Sequence, residues 1–101
     1  MHRSLTLAAI FALLILTAGA SAQSAVTEGA QIYATNCAEC HGENLVSAGT
    51  IFDIKQLGPN DKDRYMKVMT DGKGQMPAFV GTLDDEQIEK LWAYIRSKAD
   101  K

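Results

Sequence analysis

The amino-acid sequence predicts a small all-α domain. Three stretches place apolar residues three and four positions apart, which is the spacing of a helix with one buried face. No run alternates apolar and polar residues for long enough to predict a strand. The chain of 101 residues is long enough for one domain and no more.

The first 22 residues differ in composition from the rest of the chain. A weakly basic start precedes an almost wholly apolar run over Leu5–Ala20, and Ala20-Ser21-Ala22 has the small-x-small form of a signal-peptidase site. This pattern predicts a cleaved secretory signal over residues 1–22 and a mature domain over residues 23–101. The alternative is a retained membrane anchor, but the apolar run is shorter than the roughly 20 residues that a spanning helix needs. We therefore expect a periplasmic protein with no stable membrane insertion after cleavage.

The first helix is predicted to begin near Thr27, a residue suited to a helix N-cap, and to run to about Cys37. Gly29, Tyr33 and Cys37 lie four positions apart, so they share one face of this helix. A loop-like segment that contains three glycines follows over residues 42–58.

Two further helices are bounded by recognisable end signals. The second opens after Pro59-Asn60 and ends at Gly72, because glycine commonly stops a helix. A loop over residues 73–82 leads to the third helix, where Asp84 and Gln87 form a variant of the capping box. The apolar face of the third helix is formed by Ile88, Leu91, Trp92 and Ile95.

The segment Cys37-Ala38-Glu39-Cys40-His41 carries the chemistry of this sequence. C-x-x-C-H is the signature of c-type haem attachment. Two cysteines three positions apart on a helical turn reach both vinyl groups of one haem and form thioether bonds, and the adjacent His41 is placed to bind the iron. The predicted signal peptide agrees with this, because haem is attached to such motifs outside the cytoplasm. We therefore predict one covalent haem c, held by Cys37 and Cys40.

A C-x-x-C pair also occurs in redox dithiols and in zinc sites. A thioredoxin-like dithiol needs a βαβ context, which this sequence does not predict. A zinc site needs about four ligands. The cysteines and histidines of residues 23–101 are only Cys37, Cys40 and His41, so haem attachment is the favoured interpretation.

The second axial ligand of the iron is predicted to be a methionine. His41 is the only histidine in the predicted mature domain, which excludes a bis-histidine haem within one chain. A methionine ligand raises the reduction potential. Met66 and Met69 lie on the second helix, where methionine usually fills gaps in the core. Met76 lies in a loop, and Pro77 stiffens its presentation because proline fixes φ, so the sequence favours Met76.

These motifs resemble the class I cytochrome c family over nearly all of residues 23–101. The resemblance is carried by Gly29-x-x-Ile32-Tyr33-x-x-x-Cys37, by Gly74-Gln75-Met76-Pro77-Ala78-Phe79 and by Leu91-Trp92-Ala93-Tyr94-Ile95. It implies about three main helices wrapped around one covalently bound haem, with the N- and C-terminal helices crossing. It also implies that Gly29 and Tyr33 contact Leu91 and Tyr94 at that crossing.

One segment departs from the family pattern. The family often has a proline after the haem motif, and the carbonyl of that proline accepts a hydrogen bond from the ligand imidazole. Here the corresponding stretch, Thr50–Ile54, contains no proline. A carbonyl of this stretch is the remaining candidate for orienting His41, and such contacts tune metal ligands.

The resemblance implies a carrier of single electrons that has no catalytic residues and is not an enzyme. With both axial positions filled, the iron would offer no site for a substrate. Phe52-Asp53-Ile54, the helix over residues 61–72 and Leu91-Trp92-Ala93-Tyr94 are similar to small cytochromes that serve quinoprotein alcohol dehydrogenases. That similarity suggests such a dehydrogenase as electron donor and a terminal oxidase as acceptor. Gly74–Phe79 is also similar to small photosynthetic electron carriers.

Two alternatives stay open at this point, a haem-based sensor of small ligands and a fixed cytochrome subunit of a dehydrogenase complex. The sensor would need an open coordination site. The formal net charge of −2 makes nucleic acid a poor partner, because nucleic-acid binding requires a basic surface. We expect a monomer that meets its redox partners through small, transient interfaces.

Overall fold

The structure, a computed structural model, describes residues 21–47 and 49–99. Its regular elements are helices: α1 over residues 21–36, α2 over Ala38–His41, α3 over Lys62–Asp71 and α4 over Asp85–Lys98. Two short 3-10 turns, Glu43–Leu45 and Ile54–Gln56, lie in the segment between α2 and α3. The described ranges contain isolated β-bridges in place of strands, so the all-α prediction is confirmed.

The predicted start of the first helix is wrong. Residues 21–26 are already helical, and Thr27 lies inside α1. The Thr27 hydroxyl donates a hydrogen bond to the Gln23 carbonyl at 3.0 Å, one turn earlier in the same helix. A threonine hydroxyl can bond back within a helix as readily as it can cap one, so the residue type alone did not fix the start.

The predicted signal peptide falls mostly outside the described residues. Residues 1–20 are not described, and the predicted cleavage point after Ala22 stays a prediction. Ser21 and Ala22 are exposed and helical. Across residues 21–47 and 49–99, no helix combines the length and the apolar character that crossing a bilayer requires.

The start of α4 is fixed by a reciprocal capping box. The Gln87 backbone N–H donates to the Asp84 carboxylate at 2.7 Å, and the Asp84 backbone N–H donates to the Gln87 side chain at 2.9 Å. Both bonds satisfy donors that the first turn of a helix otherwise leaves unpaired. Acidic residues in its first turn and basic residues in its last complement the helix dipole.

Helices α1 and α4 cross in close contact at Gly29. A Cβ atom at Gly29 would overlap the Lys90 backbone carbonyl and lie 2.8 Å from the Tyr94 Cβ atom, so only glycine fits there. Beside this contact, the Tyr33 and Tyr94 rings pack with centroids 5.4 Å apart. The Lys90 ammonium also reaches the Glu28 carboxylate at 2.5 Å. The crossing that the resemblance implied is therefore present.

Helix α3 is joined to α4 by Tyr65. The Tyr65 hydroxyl donates to the Ile88 carbonyl at 2.7 Å, and its ring packs on Trp92 with centroids 4.9 Å apart. Burial raises the pKa of the Tyr65 phenol, so the phenol stays protonated and able to donate. The three long helices thus enclose one core, whose most deeply buried side chains are Tyr33, Leu45, Ile88 and Leu91.

Candidate haem-binding cavity

A cavity of about 520 Å³ opens into this core. Its size and largely apolar walls are those of a site for a small molecule or cofactor. The α1–α2 junction, the segment before α3, the inner faces of α3 and α4, and the loop after α3 all contribute to the wall. The lining includes Tyr33, Cys37, Cys40, His41, Phe52, Leu57, Arg64, Tyr65, Met69, Met76, Phe79, Leu91 and Ile95.

The haem-attachment motif forms one helical turn at the edge of the cavity. Cys37 breaks the helical conformation between α1 and α2, with φ −125° and ψ −31°. The His41 backbone N–H donates to the Cys37 carbonyl at 2.9 Å, which closes the turn. Cys37, Cys40 and His41 all line the cavity, and both cysteines are free thiols. The structure therefore brings the three predicted residues together.

The two thiols have different surroundings. Cys37 is 9% exposed and belongs to the core, whereas Cys40 is exposed. Burial, with a smaller contribution from the neighbouring Cys40, raises the pKa of the Cys37 thiol to about 11. Cys37 is therefore protonated at neutral pH and behaves as a small apolar side chain.

The His41 ring is held as a neutral imidazole. Burial lowers the pKa of His41 because a charged ring loses its hydration there, and the Phe52 backbone carbonyl opposes this shift in part. Nδ1 is nevertheless buried without a hydrogen bond of normal geometry. The Phe52 carbonyl therefore acts on the ring through a contact that falls short of a hydrogen bond. Neutral imidazole is the form that binds metals.

The structure separates the three candidate methionines. Met66 packs against the outside of the core and does not line the cavity. Met69 and Met76 both line it, Met69 from α3 with 2% of its surface exposed and Met76 from the loop after α3. Met76 is thus placed in the cavity, as the sequence favours, and Met69 is its one remaining rival.

Backbone hydrogen bonds connect the two ends of the Met76 turn and join the loop to α3. Lys73 and Met76 exchange two backbone hydrogen bonds, each 3.0 Å long. The backbone N–H groups of Phe79 and Val80 then donate to the Met69 carbonyl at 2.8 and 3.2 Å. These bonds fix the loop over the end of α3.

Three residues at the cavity were not identified as site residues from the sequence. Tyr33, 1% exposed, donates its hydroxyl to the Gly42 carbonyl at 2.7 Å, directly after the haem motif. The Arg64 guanidinium lies 4.6 Å from the centre of the Phe52 ring, and both residues line the cavity. The spacing of Tyr33 from Cys37 predicted a shared face but not this bond. The Arg64–Phe52 contact joins two segments that are separate along the chain, so no local sequence pattern predicts it.

The donor set fits haem c. Two thiols one helical turn apart, a neutral imidazole and a thioether sulfur surround one apolar cavity, and the Nδ1 atom of that imidazole is buried without a hydrogen-bond partner. These are the groups that attach and ligate haem in c-type proteins. Apolar walls also suit a porphyrin, whose faces are apolar.

Several known proteins are similar to this chain. Cytochrome c6 of Nostoc sp. is 43% identical over 77 residues, covering 71% of this chain and 69% of that protein. Cytochrome c6 of Thermosynechococcus vestitus is 36% identical over 95 residues, covering 89% of this chain and 85% of that protein. Cytochrome c6 of Microcystis aeruginosa is 37% identical over 79 residues, covering 73% of this chain and 98% of that protein. No solved structure matches the chain significantly.

The family described as "Cytochrome C oxidase, cbb3-type, subunit III" matches residues 24–95. This match spans most of α1, the haem motif, the Met76 loop and most of α4. Together with the helical fold and the cavity, these similarities show that the chain belongs to the class I c-type cytochromes, which hold one covalently bound haem c and carry electrons rather than catalyse a reaction.

Proposed function

We propose that Cys37 and Cys40 hold the haem through thioether bonds, and that His41 and Met76 bind its iron. The observation that carries this proposal is the convergence of all four side chains on one cavity. The haem, when bound, supplies a centre that takes up and releases one electron. The chain's own residues attach that centre, ligate it and keep water away from it.

The residues of the cavity would set the reduction potential. A thioether ligand raises the potential, and apolar walls such as Leu57, Tyr65 and Ile95 act with it by lowering the local dielectric. With His41 and Met76 on the iron, no position is left for a substrate, in keeping with a carrier.

The axial assignment is tested by comparing Met76→Ala with Met69→Ala. Met76→Ala is expected to abolish the weak near-infrared-edge band of iron–sulfur bonding in the oxidised protein. It should also lower the potential and allow the reduced protein to bind carbon monoxide, because the iron loses a ligand. Met69→Ala, the matched control, should weaken packing yet keep the band. The reverse result would transfer the ligand role to Met69, and ready carbon monoxide binding by the unchanged protein would favour the sensor.

We propose that the mature protein starts at Gln23 and acts in the periplasm. The apolar leader and the small-x-small site support this, as does the need for haem attachment outside the cytoplasm. N-terminal sequencing of haem-loaded protein from the periplasmic fraction should return Gln23-Ser24-Ala25. An intact Met1 in a membrane fraction would show a retained anchor instead.

We propose a quinoprotein alcohol dehydrogenase as the electron donor and a terminal oxidase as the acceptor. This rests on the similarity of residues 52–54, 61–72 and 91–94 to cytochromes that serve such dehydrogenases. The test is stopped-flow reduction of the oxidised protein by the dehydrogenase and its alcohol, followed at the haem absorbance. A specific partner should give a rate constant of about 10⁵–10⁷ M⁻¹s⁻¹. Reduction no faster than by the free quinone cofactor would contradict this donor.

A second arrangement is favoured by one finding, because the matching family is described as an oxidase subunit. In that arrangement the chain would be a fixed subunit of a larger complex. Gel filtration of protein from its native host at high salt distinguishes the two, because high salt weakens transient electrostatic contacts. A free carrier elutes as a monomer, whereas a fixed subunit co-elutes with its complex.

A further inference from the structure

We propose that Gly72 is a positioning residue for Met76. Because Gly72 has no side chain, the backbone of the Met76 loop can pack directly against the end of α3. This close packing holds the Met76 sulfur in the cavity. The inference rests on the proposed role of Met76 as an iron ligand. It assigns a role to a residue that belongs neither to the haem motif nor to the lining of the cavity.

Gly72 follows the last residue of α3 and has φ 73° and ψ 177°. This conformation belongs almost entirely to glycine, because a Cβ atom clashes with the backbone there. A Cβ atom at Gly72 would also lie 2.7 Å from the Met76 carbonyl oxygen, 3.0 Å from the Ala78 nitrogen and 3.2 Å from the Pro77 carbonyl carbon. All three are backbone atoms, so no side-chain rotation relieves the contact.

The loop has little freedom to move away from α3. Its two ends are tied by the Lys73–Met76 backbone pair and by the bonds from Phe79 and Val80 to the Met69 carbonyl. Pro77 also fixes one dihedral angle between these ties. A methyl group at Gly72 must therefore displace the Met76–Ala78 backbone as a unit or break one of these ties. Either outcome moves the residue whose side chain enters the cavity.

Gly81 provides a matched control in the same connection between α3 and α4. It also has a positive φ, of 125°, but a Cβ atom there would meet nothing within 4 Å. Gly81→Ala therefore strains the backbone without pressing on the Met76 loop. A comparison of the two alanine variants separates general loop strain from displacement of Met76.

The test uses holoprotein of the full chain carrying Gly72→Ala, Gly81→Ala, Met76→Ala or the double change Gly72→Ala/Met76→Ala. Gly72→Ala is expected to lose most of the iron–sulfur band of the oxidised protein, whereas Gly81→Ala keeps it. Reduced Gly72→Ala should bind carbon monoxide about 5- to 150-fold more tightly than Gly81→Ala, because the overlap raises the free energy of the Met76-ligated state. Thermal unfolding should show a smaller penalty for Gly72→Ala when Met76 is already alanine, because displacement of the loop then breaks no iron–sulfur bond.

Each outcome is decisive for one of the two claims. If Met76→Ala leaves the band and carbon monoxide binding unchanged, the axial assignment fails. If Met76→Ala abolishes the band but Gly72→Ala matches Gly81→Ala, the assignment stands and the role of Gly72 is refuted. If Gly72→Ala does not accumulate, accumulation of the double variant supports the inference, because release of Met76 then rescues the protein. If neither Gly72→Ala nor the double variant accumulates while Gly81→Ala accumulates normally, Gly72 is required only for folding, and the inference is overturned.

Discussion

Tyr33 shows how one side chain serves both the core and the site. Its ring packs against Tyr94 at the α1–α4 crossing, and its hydroxyl donates to the carbonyl of Gly42, the residue directly after His41. Desolvation raises the pKa of this phenol to about 12, so the hydroxyl remains a donor throughout the neutral range. The helix crossing is thereby linked to the residue proposed to bind the iron.

Tyr33→Phe is expected to destabilise the protein by about 1–3 kcal/mol, because it leaves the Gly42 carbonyl without its partner in a part-buried position. Denaturant unfolding of the haem-loaded protein measures this change. Tyr94→Phe is the matched control, since the Tyr94 hydroxyl makes no hydrogen bond within residues 21–47 and 49–99. Equal losses in the two variants would show that the Tyr33–Gly42 bond contributes nothing.

The same phenol predicts how stability changes in alkali. Tyr33 has a folded pKa of about 12 against an ordinary value of 10.0, so above pH 10 the unfolded chain loses this proton before the folded one does. Its contribution to stability is therefore full below pH 10 and is lost as the pH rises towards 12. Tyr33→Phe should show a shallower decline over that range. Parallel curves for wild type and variant would contradict the raised pKa.

At the scale of elements, sequence signals succeeded where both partners are close along the chain. The Asp84–Gln87 capping box lies within four residues, and its two bonds form as predicted. The start of α1 was misplaced because Thr27 has a local alternative within the helix. The approach of Gly72 to the Met76 loop depends on where α3 ends in space, which no residue pattern states.

The close contact at the α1–α4 crossing reverses the usual effect on stability of replacing a helical glycine by alanine. Alanine in place of glycine normally stabilises a helix interior by about 0.5–1 kcal/mol. Gly29→Ala should instead destabilise by about 1–3 kcal/mol, because the added methyl group overlaps the Lys90 carbonyl. Thermal unfolding of the haem-loaded protein measures the difference. Ala34→Gly, at an exposed position of the same helix, measures the effect of helix propensity alone. A Gly29→Ala variant more stable than the wild type would refute the close contact.

At the scale of the whole molecule, the cavity decides what holds the fold together. Residues 23–101 make a small domain, and small domains bury too little apolar surface to be stable without a further constraint. A cleft of about 520 Å³ among the helices leaves the apolar side chains that line it without packing partners. A haem in this volume would supply those contacts and would thereby stabilise the fold.

The corresponding prediction concerns the two proposed haem anchors. Cys37→Ala together with Cys40→Ala should abolish covalent haem and leave the chain largely unfolded, because the cavity then lies open among α1, α3 and α4. Haem staining of a denaturing gel and far-ultraviolet circular dichroism measure the two effects. Met76→Ala is the control, since it removes a proposed ligand but keeps both thioether bonds and should stay helical. A stably folded, haem-free double variant would show that packing of the helices alone sustains this fold.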